Sequence, residues 1–203
     1  HVINEPFDGT FPGRMPEPTA EGLAPLSKKV VETGAAFGVA HDGDADRAIF
    51  VDEHGTFMDG NITLGLVASY FCRKHPGGIV VTPVSTSGVV EAVAESHGCT
   101  TTYTVVGSIY AARTMRSLME EGKPVIIGGE GNGGIIYPAH QFCRDGGMSA
   151  ATMLSLIAER TMPLSSLIAE LPVFTMYQEK RKTGRAAEIT AHMKDYFKDC
   201  PVD

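Results

Sequence analysis

The sequence predicts a mixed α/β fold in which a largely parallel sheet is flanked by helices. Between residues 60 and 160, short apolar segments alternate with helical segments at a spacing of about 22 residues, the pattern of strand–helix–strand units. Glycine or proline closes most of these segments. Hydrophobic residues make up 43% and charged residues 20% of the 203 residues, which is typical of a globular chain with a packed core.

The amino-terminal part is predicted to contain a loop, a helix and two strands. Residues 5–22 hold four prolines, so we expect neither a helix nor a central strand there. A helix is predicted over 23–33. Strands follow over 36–40 and 48–55, with a polar turn at 42–47 between them.

From residue 60 the predicted helices and strands alternate. The helices are expected over 62–74, 87–97, 108–121 and 147–160, and the strands over 79–83, 101–106, 125–127 and 135–137. Gly98 and Gly122 each follow a helix, where a left-handed residue is favoured. Beyond Pro163 we expect a short helix, a strand-like segment at 173–179 and a helix over 186–197.

Charge and composition exclude several classes of partner. The 17 basic and 24 acidic residues leave a net charge of −7, which argues against nucleic acid or an anionic membrane as the main partner. The longest apolar stretch, 62–72, is too short to span a bilayer, so no membrane insertion is expected. Four cysteines without a Cys-x-x-Cys pair predict reduced thiols in a cytoplasmic protein.

The strongest chemical signal is the group of three carboxylates Asp42, Asp44 and Asp46, directly after a predicted buried strand. These charges repel one another, and a divalent cation would relieve the repulsion; oxygen ligands select Mg²⁺ or Ca²⁺. We expect Gly43 to allow the tight turn that gathers the three side chains. The alternative is a solvated acidic turn. An EF-hand loop fails because Arg47 stands where the sixth position needs glycine.

Arg47 next to these carboxylates has two interpretations. It is either their counter-ion or a phosphate-binding residue, because a guanidinium presents a planar fork to phosphate oxygens. A cation with an adjacent arginine is typical of phosphoryl transfer.

The second signal is the glycine-rich segment 129–134, which follows the predicted strand 125–127. It lacks the Gly-Lys-Ser/Thr ending of a nucleotide P-loop. Glu130 would repel phosphate but suits sugar hydroxyls, and Asn132 can both donate and accept hydrogen bonds. The alternative is a tight turn without a ligand.

Taken together, these segments resemble one family, the α-D-phosphohexomutases, which include phosphoglucomutase, phosphomannomutase and phosphoglucosamine mutase. Residues 42–47 match the family's metal-binding loop, 11–18 its Pro-rich segment, 129–133 its sugar-binding loop, and 145–146 the segment after that loop. Order and spacing agree along nearly the whole chain.

The resemblance implies an incomplete set of domains. Residues 1–58 would be the carboxyl-terminal part of domain 2 with the metal loop. Residues 59–171 would form a complete domain 3 with the sugar loop, and 172–203 a linker and the truncated start of domain 4. The phosphoserine loop of domain 1 and the phosphate-binding loop of domain 4 would be missing. The chain also starts at His1 without a leader, so we expect a piece of a longer protein whose isolated form is inactive.

The resemblance also implies a reaction and a set of site residues. The enzyme would interconvert hexose 6-phosphate and hexose 1-phosphate through a phosphoserine, with Mg²⁺ and a hexose 1,6-bisphosphate intermediate that also acts as activator. A phosphosugar would be the partner, and the oligomeric state stays open. The residues carried over are Asp42, Asp44 and Asp46 for Mg²⁺, Arg47 for catalysis, and Glu130, Asn132, Gly107, Ser108 and Arg144 for the substrate.

Some positions depart from the family pattern. Many members have Ser and His where this chain has Asn132 and Gly134, and His or Asp where it has Ser108. For Arg144 the alternatives are a phosphate contact and a surface salt bridge. The departures leave phosphoglucosamine mutase open beside phosphomannomutase and phosphoglucomutase. A module that binds a cation or a sugar without catalysis also stays open.

Overall fold

A computed structural model describes residues 1–5, 8–177 and 182–198 of the chain. Its helices are α1 Ala24–Thr33, α2 Gly60–Lys74, α3 Val89–Ser96, α4 Ser108–Glu120, α5 Gly146–Arg160, α6 Leu164–Ala169 and α7 Ala186–Tyr196. Its strands are β1 Gly38–His41, β2 Ala48–Val51, β3 Ile79–Pro83, β4 Thr100–Thr104, β5 Val125–Gly129 and β6 Ile135–Ile136.

The amino-terminal unit is a helix packed on a two-stranded hairpin. Helix α1 ends at Gly34, whose φ of 62° is the left-handed conformation that glycine adopts readily. Strands β1 and β2 pair antiparallel, with His41 opposite Ala48. Strand β2 is buried on both faces, because Ile49 packs towards α1 while Phe50 packs into the main core. Residues 42–47 therefore form the tip of a firmly held hairpin.

The main sheet has the strand order β4-β3-β5-β6. Strands β4, β3 and β5 are parallel, and β6 returns antiparallel to β5. Helices α3 and α4 connect the parallel strands. The carboxyl ends of these strands therefore lie at one edge of the sheet, where ligand sites form in this architecture. The predicted largely parallel sheet flanked by helices is confirmed.

The two faces of the sheet carry separate cores. Adjacent residues of β3 point to opposite faces, so Val80 joins the core under α2, α3, α5 and α6, and Val81 joins the core under α4. Met115 of α4 is fully buried against the second face. Among the described residues, no helix has the length and apolar character that crossing a bilayer requires.

The predicted elements are present with shifted ends, except for one strand. The strand predicted over 48–55 ends at Val51, because the Asp52 carboxylate accepts hydrogen bonds from the backbone N–H groups of His54 and Thr56 and closes a turn. The strand predicted over 173–179 is wrong for residues 173–177, which lie outside the strands of the described residues, and Val173 is 95% exposed. Residues 178–179 lie outside the described residues, as does Cys200; the other three cysteines are free thiols.

Packing of α2 against the sheet should dominate the stability of the chain. Leu64 is fully buried, whereas Leu154 on α5 is 57% exposed. We expect Leu64→Ala to lower the free energy of unfolding by about 2–5 kcal/mol, through lost apolar burial and the cavity left behind. The matched change Leu154→Ala should alter it by no more than about 0.5 kcal/mol. Urea unfolding followed by circular dichroism measures both; equal losses would contradict this description of the core.

Candidate functional site

The acidic tip of the hairpin, residues 42–47, is called the metal loop below. Ala45 at its centre has φ 58°, a left-handed conformation that costs a non-glycine residue free energy and is often found at functional sites. The Ala45 N–H donates to the Asp42 carbonyl at 3.2 Å and closes a turn that contains Gly43, whereas the left-handed residue is Ala45. Gly43 also lets the Pro-rich segment approach: a Cβ there would lie 3.3 Å from Phe11 Cζ and from Pro16 Cβ.

The loop brings three carboxylates together, as the sequence predicted. One oxygen atom from each of Asp42, Asp44 and Asp46 lies within 4.8 Å of the other two. The Asp42 side chain is only 3% exposed and accepts hydrogen bonds from the backbone N–H and the Nε of Arg47. Burial raises the pKa of the Asp42 carboxyl, but the hydrogen bonds and charge of Arg47 outweigh this effect and leave that pKa below its ordinary value.

Asp46 is the member of the cluster with an unsatisfied atom. Its Oδ1 is buried and has no hydrogen-bond partner among the described residues, although Arg47 Nε lies 3.8 Å away. Burial raises the pKa of the Asp46 carboxyl, and repulsion from Asp42 and Asp44 adds to this; the opposing bonds from Arg144 do not cancel the rise. A buried carboxylate oxygen without a donor, beside two more carboxylates, fits a hard divalent cation.

The Pro-rich segment supports the metal loop through contacts that the sequence analysis missed. Glu17 forms a bidentate ion pair with Arg47, with both N···O distances 2.8 Å. Arg14 donates a hydrogen bond to the carbonyl of His41 at the end of β1, and the His41 ring bonds to the Arg47 carbonyl at 3.0 Å. Glu17 and Arg47 lie 30 positions apart and Arg14 and His41 lie 27 apart, so spacing alone gives no signal for these two contacts.

The second loop, residues 129–134, is called the glycine-rich loop below and connects β5 to β6. The Glu130 N–H donates to the Gly134 carbonyl at 2.9 Å, and the Asn132 side-chain oxygen accepts from the Gly134 N–H at 3.0 Å. Gly133 has φ 88°, which favours glycine. Part of the hydrogen-bonding capacity of Asn132 is therefore used to close the loop itself.

The amino terminus of α2 lies directly under this loop. A Cβ on Gly60 would be 2.4 Å from the Gly131 carbonyl oxygen and 2.5 Å from the Gly133 nitrogen. A Cβ on Gly131 would in turn meet the Asn61 side-chain oxygen at 2.2 Å. Asn61 is held by Asp59, which caps the helix. The glycine-rich loop is thus positioned by backbone contact that only glycine permits.

Backbone hydrogen bonds join the start of β2, next to the metal loop, to the glycine-rich loop, and join the metal loop to the start of α5. The Ala48 N–H donates to the Gly133 carbonyl at 3.1 Å, and the Gly146 N–H donates to the Ala45 carbonyl at 3.3 Å. Side chains make a further link, because Arg144 donates to both Asp46 and Glu130. Residues from two predicted domains therefore line one continuous site.

The predicted substrate residues do not all lie where the metal loop meets the glycine-rich loop. Arg144 is 22% exposed and paired with two carboxylates, so it forms a half-buried bridge rather than the surface salt bridge considered above. Gly107 and Ser108 start α4 after strand β4. Because β4 is two strands away from β5, these two residues lie about 10 Å across the same sheet edge.

The sequence matches two family models that divide the chain in the same order as the two structural units. Residues 2–55 match domain II of phosphoglucomutase/phosphomannomutase, described as alpha/beta/alpha. Residues 59–174, more than half of the chain, match domain III of the same family.

Relatives with known names support the same assignment. The chain is 41% identical over 179 residues to the "Phosphoglucomutase/phosphomannomutase" of Thermococcus kodakarensis, a match that covers 88% of this chain and 38% of that protein. It is 36% identical to the "Phosphoglucosamine/phosphogalactosamine mutase" of Sulfurisphaera tokodaii, covering 89% of the chain and 39% of that protein. The chain therefore spans less than two-fifths of the length of these relatives.

A solved structure has a similar fold. The X-ray structure of a phosphoglucomutase/phosphomannomutase family protein from Burkholderia thailandensis superposes with a TM-score of 0.69 at 26% sequence identity. The superposition covers 82% of this chain and 36% of that protein.

Replacing two glycines of α2 by alanine should change the stability of the chain in opposite directions. In a helix Gly→Ala normally stabilises by up to about 1 kcal/mol, and we expect this of Gly65, where a Cβ would find no atom nearer than 3.4 Å. Gly60→Ala should instead destabilise by about 1–3 kcal/mol, because its Cβ would overlap the backbone of the glycine-rich loop. Thermal unfolding of both variants measures the difference; stabilisation by Gly60→Ala would contradict the close approach.

Proposed function

Because the chain belongs to the phosphoglucomutase/phosphomannomutase family, we propose that the protein containing it interconverts hexose 6-phosphates and hexose 1-phosphates. The observation that carries this proposal is that Arg144 links the metal loop and the glycine-rich loop side by side. Arg144 donates hydrogen bonds both to Oδ2 of Asp46 and to the Glu130 carboxylate, while the buried Oδ1 of Asp46 lacks a donor. A cation site and a hydroxyl-binding carboxylate side by side suit a phosphorylated sugar.

In this proposal Asp42, Asp44 and Asp46 hold Mg²⁺. The three carboxylates already lie within ligand reach of one point, and a cation would offset both the burial and the repulsion from Asp42 and Asp44 that raise the pKa of Asp46. When bound, Mg²⁺ neutralises charge on a phosphoryl group in transfer. The loop itself supplies the rigid spacing, because the left-handed Ala45 and the β1–β2 pairing hold it.

Arg47 is proposed to contact the transferred phosphoryl group. Its guanidinium is shared between the buried Asp42 and the Glu17 side chain, which is 56% exposed. Exposed ion pairs contribute little to stability, about 0–1 kcal/mol, so a phosphate can replace Glu17 at the guanidinium. Asp42 would then keep Arg47 oriented while its outer edge binds phosphate oxygens.

Glu130 is proposed to accept hydrogen bonds from sugar hydroxyls. Arg144 bonds to its Oε2, and the carboxylate, 10% exposed, is held at the carboxyl end of β5. Asn132 would add a contact through its exposed amide. Gly107 and Ser108, across the sheet edge, would reach a more distant part of the same sugar.

The proposed reaction requires groups outside this chain. By resemblance, a phosphoserine donates its phosphate to form a hexose 1,6-bisphosphate, which then returns the other phosphate to the serine. The resemblance places the phosphoserine loop in domain 1 and the phosphate-binding loop in domain 4, whereas the family models match this chain to domains II and III. We therefore expect the isolated chain to fold and to bind a cation without turnover.

Phosphoglucosamine mutase activity is the second candidate. Asn132 and Gly134 replace the Ser and His of many family members, and the relative from Sulfurisphaera tokodaii with 36% identity is named for glucosamine and galactosamine phosphates. This candidate shares the cation site and the phosphoryl transfer and differs only in the sugar.

The test is turnover by the complete gene product with glucose, mannose and glucosamine 1-phosphates, Mg²⁺ and a trace of hexose bisphosphate. We expect turnover of at least one sugar, with Asp44→Asn lowering kcat on the order of 100-fold because one cation ligand is lost. The matched change Asp195→Asn removes an exposed carboxylate on α7 and should leave the rate unchanged. Absence of turnover by a phosphorylated, complete enzyme would favour a binding module without catalysis.

A further inference from the structure

Arg144 makes the most distinctive set of contacts at the site. Its Nε donates to Asp46 Oδ2 at 2.8 Å, its Nη2 donates to the same oxygen, and its Nη1 donates to Glu130 Oε2 at 2.9 Å. One planar cation therefore connects a carboxylate of the metal loop with a carboxylate of the glycine-rich loop. Only arginine offers several donors in a rigid fork that can hold two carboxylates in this way.

The backbone holds Arg144 in place for this role. Arg144 forms an antiparallel bridge with Ile136 of β6, and the Asp145 N–H donates to the Ile135 carbonyl at 2.9 Å. Asp145 also caps α5 through the Met148 N–H. The guanidinium thus extends from rigid secondary structure, not from a free loop.

Gly134 leaves the space through which the Arg144 side chain passes. A Cβ on Gly134 would lie 2.3 Å from Arg144 Cδ and 3.1 Å from the Asn132 side-chain oxygen. A side chain at position 134 and this path of Arg144 exclude each other. Gly134, which stands where many family members have His, therefore leaves the room that the Arg144 side chain needs.

The hydrogen bonds from Arg144 also determine which oxygen of Asp46 remains in the carboxylate cluster. Both donors on this side take Oδ2, so the other oxygen, Oδ1, remains in the carboxylate cluster without a hydrogen bond. A cation that binds Oδ1 withdraws negative charge from Asp46, which weakens its attraction for Arg144 and alters the bond from Arg144 to Glu130. Linkage makes the effect reciprocal, so a ligand on Glu130 changes cation affinity by the same factor.

We infer that Arg144 is a positioning residue that couples cation binding at the metal loop to the orientation of Glu130. This inference rests on the proposed function of the two loops as cation site and sugar site. In this role Arg144 binds both carboxylates and does not contact the substrate phosphate directly. The absence of a side chain at Gly134 is what lets Arg144 connect the two loops.

The test follows the amide NMR signals of the 203-residue chain during titration with Mg²⁺ alone. In the unmodified chain, Asp44 and Asp46 on one loop and Glu130 and Gly131 on the other should shift with one dissociation constant. In Arg144→Gln the metal loop should still titrate, whereas the shifts of Glu130 and Gly131 should fall by about fivefold or more. Arg144→Lys, with a single point charge, should give an intermediate response.

Gly134→Ala is the second variant, because it keeps the arginine and displaces it. It should lose the Glu130 response as Arg144→Gln does. Arg160→Gln, which removes an arginine paired with Glu170 at the end of α5, is the control and should respond like the unmodified chain. Unchanged Glu130 shifts in both Arg144→Gln and Gly134→Ala would overturn the inference.

Two other outcomes separate this inference from the proposed function. Loss of all Mg²⁺ response in Arg144→Gln would mean that Arg144 builds the cation site itself, and the coupling role would be wrong. Absence of a response at Asp44 and Asp46 in the unmodified chain would refute the proposed cation site, and the inference with it.

Discussion

Electrostatic repulsion at the hairpin tip is the constraint on which the site depends. One oxygen from each of three carboxylates lies within 4.8 Å of the other two, and two arginines pair with the cluster: Arg47 from the loop itself and Arg144 from the segment between β6 and α5. These two cations neutralise part of the charge and leave Asp46 with a raised pKa and a buried oxygen that has no donor. This arrangement suits the positive charge of the cation that we propose.

The second organising feature is close contact between backbones. Gly60, Gly131 and Gly133 let α2, the glycine-rich loop and β2 meet at distances that no side chain permits. Gly146 does the same for the metal loop, since a Cβ there would lie 2.6 Å from the Ala45 carbonyl oxygen. The two loops are consequently fixed by rigid elements on each side, which is what positioning a phosphorylated sugar against a cation demands.

Local patterns in the sequence were sufficient to predict the fold class, most elements and the three carboxylates, because each depends on residues near one another in the chain. The strand predicted over 173–179 is wrong for residues 173–177, because a local apolar pattern does not show whether another strand is available beside it. Arg14, Glu17 and the two-sided role of Arg144 depend on contacts between distant segments. Propensity indicates Gly43 as a turn residue but gives no signal for the left-handed conformation of Ala45, which a non-glycine residue seldom adopts.

The central claim is that the metal loop and the glycine-rich loop form one site around one cation. Paramagnetic broadening of amide signals by Mn²⁺, added to the chain in place of Mg²⁺, tests it most directly. The account predicts that Asp44, Asp46, Glu130 and Arg144 broaden together, while Gly77, which bonds to Gly98 at the opposite end of the sheet, stays sharp. Broadening confined to the metal loop, or centred elsewhere in the chain, would contradict it.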